Sequence, residues 1–224
     1  MTQGSAPPRA PRVAVVDYGA GNLVSIEQAL TAAGADVHRA VTAAEIGDAD
    51  LLVVPGVGAA APAMERLRDG GFIDPIRAWV AADRPFLGIC LGLQLLYEGS
   101  DEDGAETMAI LPGRTIRLEG APTLPHIGWN QVERRHDHPA FAGIEPDADF
   151  YFVHSYVGAP TGPDGDALIL AETEHGRRFV SAVARGRLLG VQFHPERSGV
   201  NGLRVIANVV ASAVAASRTT PSAA

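Results

Sequence analysis

The sequence predicts an α/β fold: a central, mostly parallel sheet with helices on both faces and an antiparallel extension. Two observations carry that prediction. In the first half of the chain, short apolar runs alternate with stretches whose apolar residues recur at helical spacing, the pattern of doubly buried strands joined by crossover helices. In the second half, short strand-like runs follow one another across turns rich in Gly, Pro and Asp, which adds antiparallel pairing.

In chain order, residues 12–17 read as a buried strand and 23–33 as a helix with Leu23, Ile26 and Leu30 on one face. A second strand follows at 36–39, and Thr42 with Glu45 has the spacing of a capping box. Residues 51–55 form a third strand, 60–68 and 72–81 are helical, 85–89 form a fourth strand and 91–97 a helix. Short strands are then expected at 115–118, 128–132, 150–156, 168–171, 179–185 and 188–193, with a closing Ala- and Val-rich helix at 201–216. No internal repeat is evident. One domain at 12–216 is expected, between a flexible leader at 1–11 and a disordered tail at 217–224.

Composition removes several classes of function. With 224 residues, 46% hydrophobic and 20% charged, the chain has the make-up of an ordinary globule. A net charge of -8 with no Lys/Arg cluster argues against nucleic-acid binding. A lone cysteine rules out an intrachain disulfide, makes a zinc-thiolate site implausible and fits a reducing, cytoplasmic compartment. The leader lacks the apolar core of a signal peptide, and no apolar run is long enough for a bilayer. No cofactor or metal is expected. His136, Asp137 and His138 fall in a charged turn, and Asp101-Glu102-Asp103-Gly104 is a turn, not a complete calcium loop.

That lone cysteine, Cys90, lies in Gly88-Ile89-Cys90-Leu91-Gly92-Leu93-Gln94, between a strand-like and a helix-like run. A nucleophile on such a turn projects outward, while N–H groups at the helix start face the developing oxyanion. By itself a lone thiol is more often a small core residue than a nucleophile. The flanking glycines favour a tight turn open to substrate. About a hundred residues on, Gln192-Phe193-His194-Pro195-Glu196 ends another strand-like run. In extended backbone residues i and i+2 share a side, which brings Glu196 near His194 and completes the parts of a Cys-His-acid triad. His154 competes as the base but has no acid two residues on. Pro55-Gly56-Val57-Gly58 ends the third strand, where an N–H from Val57 or Gly58 could join that of Leu91 in an oxyanion hole. Glycines on both sides make the Gly56–Val57 peptide easy to rotate. These segments all follow strands, so they converge on one sheet edge.

These blocks resemble the class I glutamine amidotransferases. Asp17-Tyr18-Gly19-Ala20-Gly21-Asn22-Leu23, Pro125-His126-Ile127-Gly128-Trp129-Asn130, Phe152-Val153-His154-Ser155-Tyr156 and His194-Pro195-Glu196-Arg197-Ser198-Gly199 are similar, more narrowly, to the glutaminase subunits of imidazole glycerol phosphate synthases. The resemblance covers residues 12–215 and implies a flavodoxin-like fold. It implies Cys90 as nucleophile, His194 as acid/base and Glu196 as its orienting partner, with Gly56, Gly58, Gln94, Ser155 and Tyr156 holding glutamine. It also implies a heterodimer with a (β/α)8 cyclase subunit in histidine biosynthesis. Val157 departs from the family, which often has a second aromatic there. The triad alone would also suit a glutaminase of another synthase or a free-standing Cys hydrolase of gamma-glutamyl compounds. The length and the narrower blocks favour the histidine pathway.

Overall fold

The computed structural model describes residues 9–19, 21 and 23–217; the expected leader and tail lie outside the described residues except for 9–11 and 217. The first half contains β1 (Arg12–Val16), α1 (Leu23–Ala32), β2 (Asp36–Ala40), β3 (Leu51–Gly56), α2 (Ala60–Asp69), α3 (Ile73–Ala81), β4 (Phe86–Cys90) and the single turn α4 (Leu91–Gln94). The second half adds β5 (Gly99–Ser100), β6 (Gly113–Arg117), β7 (His126–Gln131), β8 (Glu133–Arg134), β9 (Asp149–His154) and β10 (Tyr156–Pro160). It ends with α5 (Gly165–Leu168), β11 (Ile169–Glu174), β12 (Arg178–Arg185), β13 (Leu188–Val191) and α6 (Gly199–Ser217).

The main sheet runs β2-β1-β3-β4-β13-β12-β11-β8. Pairing is parallel from β2 through β13 and antiparallel from β13 to β8, which is the expected extension. Alternation along each strand feeds two cores. Val13, Val15, Leu51, Val53, Leu87 and Ile89 pack on one face with α1 and α6. Ala14, Val16, Leu52, Val54 and Phe86 pack on the other with α2 and α3. In α1 the buried residues are Leu23, Ile26, Ala29 and Leu30, one helical stripe; burying a side chain such as Leu30 contributes about 1.5–3 kcal/mol.

Two expected elements differ in the structure. The helix expected at 91–97 stops at Gln94, because the carbonyls of Leu95, Leu96 and Tyr97 accept from Met108, Ile110 and Ala109 instead of from a further helical turn. The strand expected at 150–156 is two strands that part at Ser155. His154 ends the β9 ladder opposite His126, and Tyr156 starts the β10 ladder opposite Arg117, while the Ser155 carbonyl accepts from the Leu118 N–H. Opposing demands of two ladders broke a run that looks uniform in one dimension. Thr42 and Glu45 do meet, with Glu45 accepting from the Thr42 N–H, but the element they start is only a 3-10 turn at Ala43–Ile46. Among the described residues no helix is long and apolar enough to cross a membrane.

Candidate active site

Cys90 stands at the junction of β4 and α4 with φ 52° and ψ -106°, a left-handed backbone that non-glycine residues rarely hold. Such strain persists only where the surroundings enforce it. Here they do. A Cβ on Gly92 would lie 1.8 Å from the Val54 carbonyl oxygen, and one on Gly88 would lie 2.9 Å from the Gly92 carbonyl. The two glycines therefore let the turn nest against its own backbone and β3; close approach of substrate is not what requires them.

Gly56 pairs with Cys90 in the β3–β4 register, so the loop after β3 runs beside the nucleophile turn. Tyr18 donates to the Pro55 carbonyl at 2.9 Å, and its hydroxyl occupies the space a Cβ on Gly56 would need. Burial first, then the nearby Cys90, pushes the Tyr18 phenol upward, which keeps it a neutral donor. Gly58 has φ +95°, and Val57 is half exposed.

The His194 Nδ1–H donates to Glu196 Oε1 at 2.8 Å, and the two side chains are only 5% and 8% exposed. Extended-strand alternation is not what joins them. Pro195–Arg197 form a 3-10 turn directly after His194, and the turn folds Glu196 back onto the ring. The turn is itself clamped. The His194 N–H donates to Tyr151 O, Ser198 Oγ donates to His194 O at 2.6 Å, and the Tyr151 N–H donates to Ser198 Oγ. Burial acts to lower the His194 pKa, but the charge of Cys90 and the hydrogen bond and charge of Glu196 outweigh it and raise the ring to about 10. His194 Nε2 is buried and, among the described residues, has no hydrogen-bond partner by distance and angle, so its link to Cys90 is one of proximity and charge.

Beside Cys90 opens a cavity of about 300 Å³ lined by Val57, Gly58, Leu91, Gln94 and Glu102 on one side and by Val153, His154, Ser155 and Tyr156 on the other. Of the residues expected to hold a substrate, Gly58, Gln94, Ser155 and Tyr156 reach this cavity, and Gly56 sits beneath it against Tyr18. His154 is a wall residue. Burial, then His126, drives its pKa down to about 3, so it is a neutral ring held against the Tyr156 carbonyl. A separate cavity of about 190 Å³, between α6 and the amino ends of β3 and β4, contains none of these residues.

A family model described as "Glutamine amidotransferase class-I" matches residues 14–213. The chain belongs to the class I glutamine amidotransferase family. Among its amidotransferase relatives, the "Imidazole glycerol phosphate synthase subunit HisH" of Synechococcus elongatus is 46% identical over 210 residues, which is 92% of this chain and 95% of the relative. The protein of the same name from Symbiobacterium thermophilum is 46% identical over 198 residues, 88% of this chain and 92% of the relative. At the level of fold, the amidotransferase architecture recurs in the structure titled "Structure of PurLQS from Thermotoga maritima", with TM-score 0.72 at 18% identity, covering 91% of this chain and 99% of that one.

Two residues of this amidotransferase site escape sequence reasoning. Glu102 lies in an exposed acidic turn as its sequence suggests, yet it also lines the cavity, and partial burial followed by Asp103 raises its pKa. Asp103 is responsible for the placement: its carboxylate accepts from the Ala61 N–H in the first turn of α2, which pins the turn to the site. Gln192 is fully buried and donates to Cys90 Sγ at 3.5 Å, while its Oε1 accepts from Gln94. A Gln two residues before the candidate base was the available signal. His136 and Asp137 stay in an exposed turn, and His138 caps the 3-10 turn Pro139–Phe141 by accepting from the Ala140 N–H. Val157 is buried in the core, so its departure from the family pattern is absorbed by packing.

Proposed function

We propose that this chain is the glutaminase of an imidazole glycerol phosphate synthase, converting L-glutamine to glutamate and ammonia through a thioester on Cys90. The observation that carries the reading is the meeting of a positive-φ thiol, a Glu196-anchored imidazole and a glutamine-sized cavity at the carboxyl ends of β3, β4 and β13.

In this mechanism the proton shared by Cys90 and His194 rests on the ring, which its surroundings hold as the imidazolium, and sulfur attacks the side-chain amide carbon. The tetrahedral oxyanion is met by the N–H of Leu91 and an N–H of Val57 or Gly58. Interactions that favour the imidazolium hold the proton on His194 until the amide nitrogen takes it; the C–N bond then breaks and ammonia departs. Water, deprotonated by the same ring, adds to the thioester, and the C–S bond breaks to give glutamate and the free thiol. Glu102 faces the α-ammonium of glutamine. Both amide hydrogens of Gln94 are engaged by Tyr156 O and Gln192 Oε1, so Gln94 meets substrate through its own oxygen.

Ammonia set free in water would be protonated and lose the lone pair that makes it a nucleophile. The chain has its acceptor chemistry elsewhere: in a cyclase subunit, a (β/α)8 barrel docked near Cys90 in a cytoplasmic heterodimer that makes imidazole glycerol phosphate and aminoimidazole carboxamide ribotide. The partner sets the Gly56–Gly58 loop, so hydrolysis runs when ammonia is wanted. Ammonia and glutamate release should be measured for the chain alone and with the cyclase and its ribonucleotide ligand. Activity that rises with both and vanishes in Cys90→Ala is expected; a rate indifferent to the partner would refute the coupling, and no release under any condition would refute the glutaminase.

A further inference from the structure

A chain of polar groups runs away from the cavity into the β7–β9 ribbon, and the mechanism does not use it. His154 Nδ1 lies 3.0 Å from the Tyr156 carbonyl oxygen, His126 Nδ1 lies 3.3 Å from His154 Nε2, and Asn130 Nδ2 lies 3.3 Å from His126 Nε2. Asn130 Nδ2 also donates to Glu174 O at 2.8 Å, and its Oδ1 accepts from the Gln131 N–H.

Both ends of this chain are backbone groups whose role cannot invert. A carbonyl only accepts, so His154 carries its proton on Nδ1. The ring is neutral, so Nε2 offers a lone pair, and His126 must donate to it from Nδ1. His126 is neutral in turn: burial and then His175 lower it to about 4, leaving Nε2 to accept from Asn130. The Gln131 N–H fixes the Asn130 amide so that its nitrogen faces His126. From Asn130 through His126 and His154 to Tyr156 every bond therefore points one way, toward the cavity. At its end the Tyr156 carbonyl receives two donors, His154 and Gln94.

We propose that His126 and Asn130 are positioning residues for glutamine: they hold His154 as its Nδ1–H tautomer, which fixes the Tyr156 peptide in the wall of the cavity. The inference rests on the reading of that cavity as the glutamine site. Without the His126 donor, the buried His154 Nε2 loses its partner and the Nδ1–H tautomer rests on the Tyr156 carbonyl alone, so the ring is held less firmly. That loosening shifts the wall formed by residues 153–156, while Cys90, His194 and Glu196 stay where their own turns hold them.

Nitrogen-15 NMR of the imidazoles in the full chain tests the tautomers directly. Neutral rings at His126 and His154, both protonated on Nδ1, are expected; an Nε2–H form at either position overturns the proposal. Kinetics test the consequence. His126→Phe keeps the ring stack on Phe152 and His175 but has no donor. It should raise KM for glutamine about tenfold, the worth of one buried hydrogen bond, with kcat within about twofold. His126→Asn, whose amide nitrogen falls near the Nδ1 position, should recover most of that loss. An unchanged KM in His126→Phe, a fall in kcat alone, or an Asn variant no better than Phe overturns the positioning role. A wild-type chain that never releases ammonia from glutamine refutes the glutaminase reading instead, and the NMR result still decides the hydrogen-bond chain.

Discussion

In the proposed mechanism Glu196 acts on the reaction only through the ring it holds. Its carboxylate and Cys90 together overcome the burial that would otherwise keep His194 neutral. In Glu196→Gln the charge is gone, so the imidazolium is less favoured and the tautomer is no longer imposed. Glutaminase kcat/KM should fall by roughly 10²- to 10⁴-fold, the usual range for general acid–base catalysis, and the pH–rate profile should show the ring titrating lower than in the parent. A variant with full activity and an unmoved profile would remove Glu196 from the mechanism. Glu102 offers a second check. Its raised carboxyl lies in the cavity wall, and as the counter-charge to the α-ammonium its replacement by Gln should weaken KM by about tenfold or more with little change in kcat. If glutamine KM is unaffected, the substrate sits in another orientation. The three residues of the proposed triad, Cys90, His194 and Glu196, were picked out by residue type and spacing. Glu102 was not, because an acidic residue in an exposed turn gives no local sign that the Asp103–Ala61 contact will set that turn beside the cavity.

Among the elements, the β4–α4 turn is the one where packing fixes geometry most tightly. Gly92 has its missing side chain 1.8 Å from a backbone oxygen of β3, and a strand in mid-sheet cannot retreat. Gly92→Ala should cost at least the upper end of the ~1–3 kcal/mol seen on overpacking. It should also displace Cys90 enough to cut kcat/KM about a hundredfold. Urea denaturation and glutaminase rates on the same preparation check both; an Ala variant with parent stability would mean the turn has room that the backbone contacts deny. The sequence marks this turn clearly, yet it places α4 three residues too long. Helical propensity was sound there. The carbonyls of residues 95–97 found partners in residues 108–111, a competition that local pattern cannot register.

At the scale of the molecule, three buried histidines give stability a dependence on pH with two opposite limbs. His126 and His154 are lowered from 6.5 to about 4 and about 3, so the unfolded chain binds more protons and stability is lost as pH falls from about 6.5 through those values. His194 is raised from 6.5 to about 10, so its contribution is complete below about 6.5 and is lost as pH rises through about 10. For these three groups the optimum therefore lies near pH 6.5, and urea midpoints taken from pH 4 to 10 should fall on both sides of it. Glu196→Gln should flatten the alkaline limb and leave the acid one; a profile that is flat below pH 6.5 would contradict the neutral histidine pair.

The sequence by itself determined the α/β alternation, the antiparallel extension, the strand-to-helix turn at Cys90 and the residues of the proposed triad. Each depends on residues close in the chain, on periodicity or on a side chain whose chemistry has few alternatives. Tertiary structure alone decided the rest. It split residues 150–156 between two ladders, brought Glu102 to the cavity and Gln192 to the thiol, and aligned Asn130, His126 and His154 toward the cavity. Those outcomes arise where backbone and side-chain groups distant in sequence compete for the same hydrogen-bond partners. The winner is fixed by the arrangement of strands across the sheet, which no local window contains.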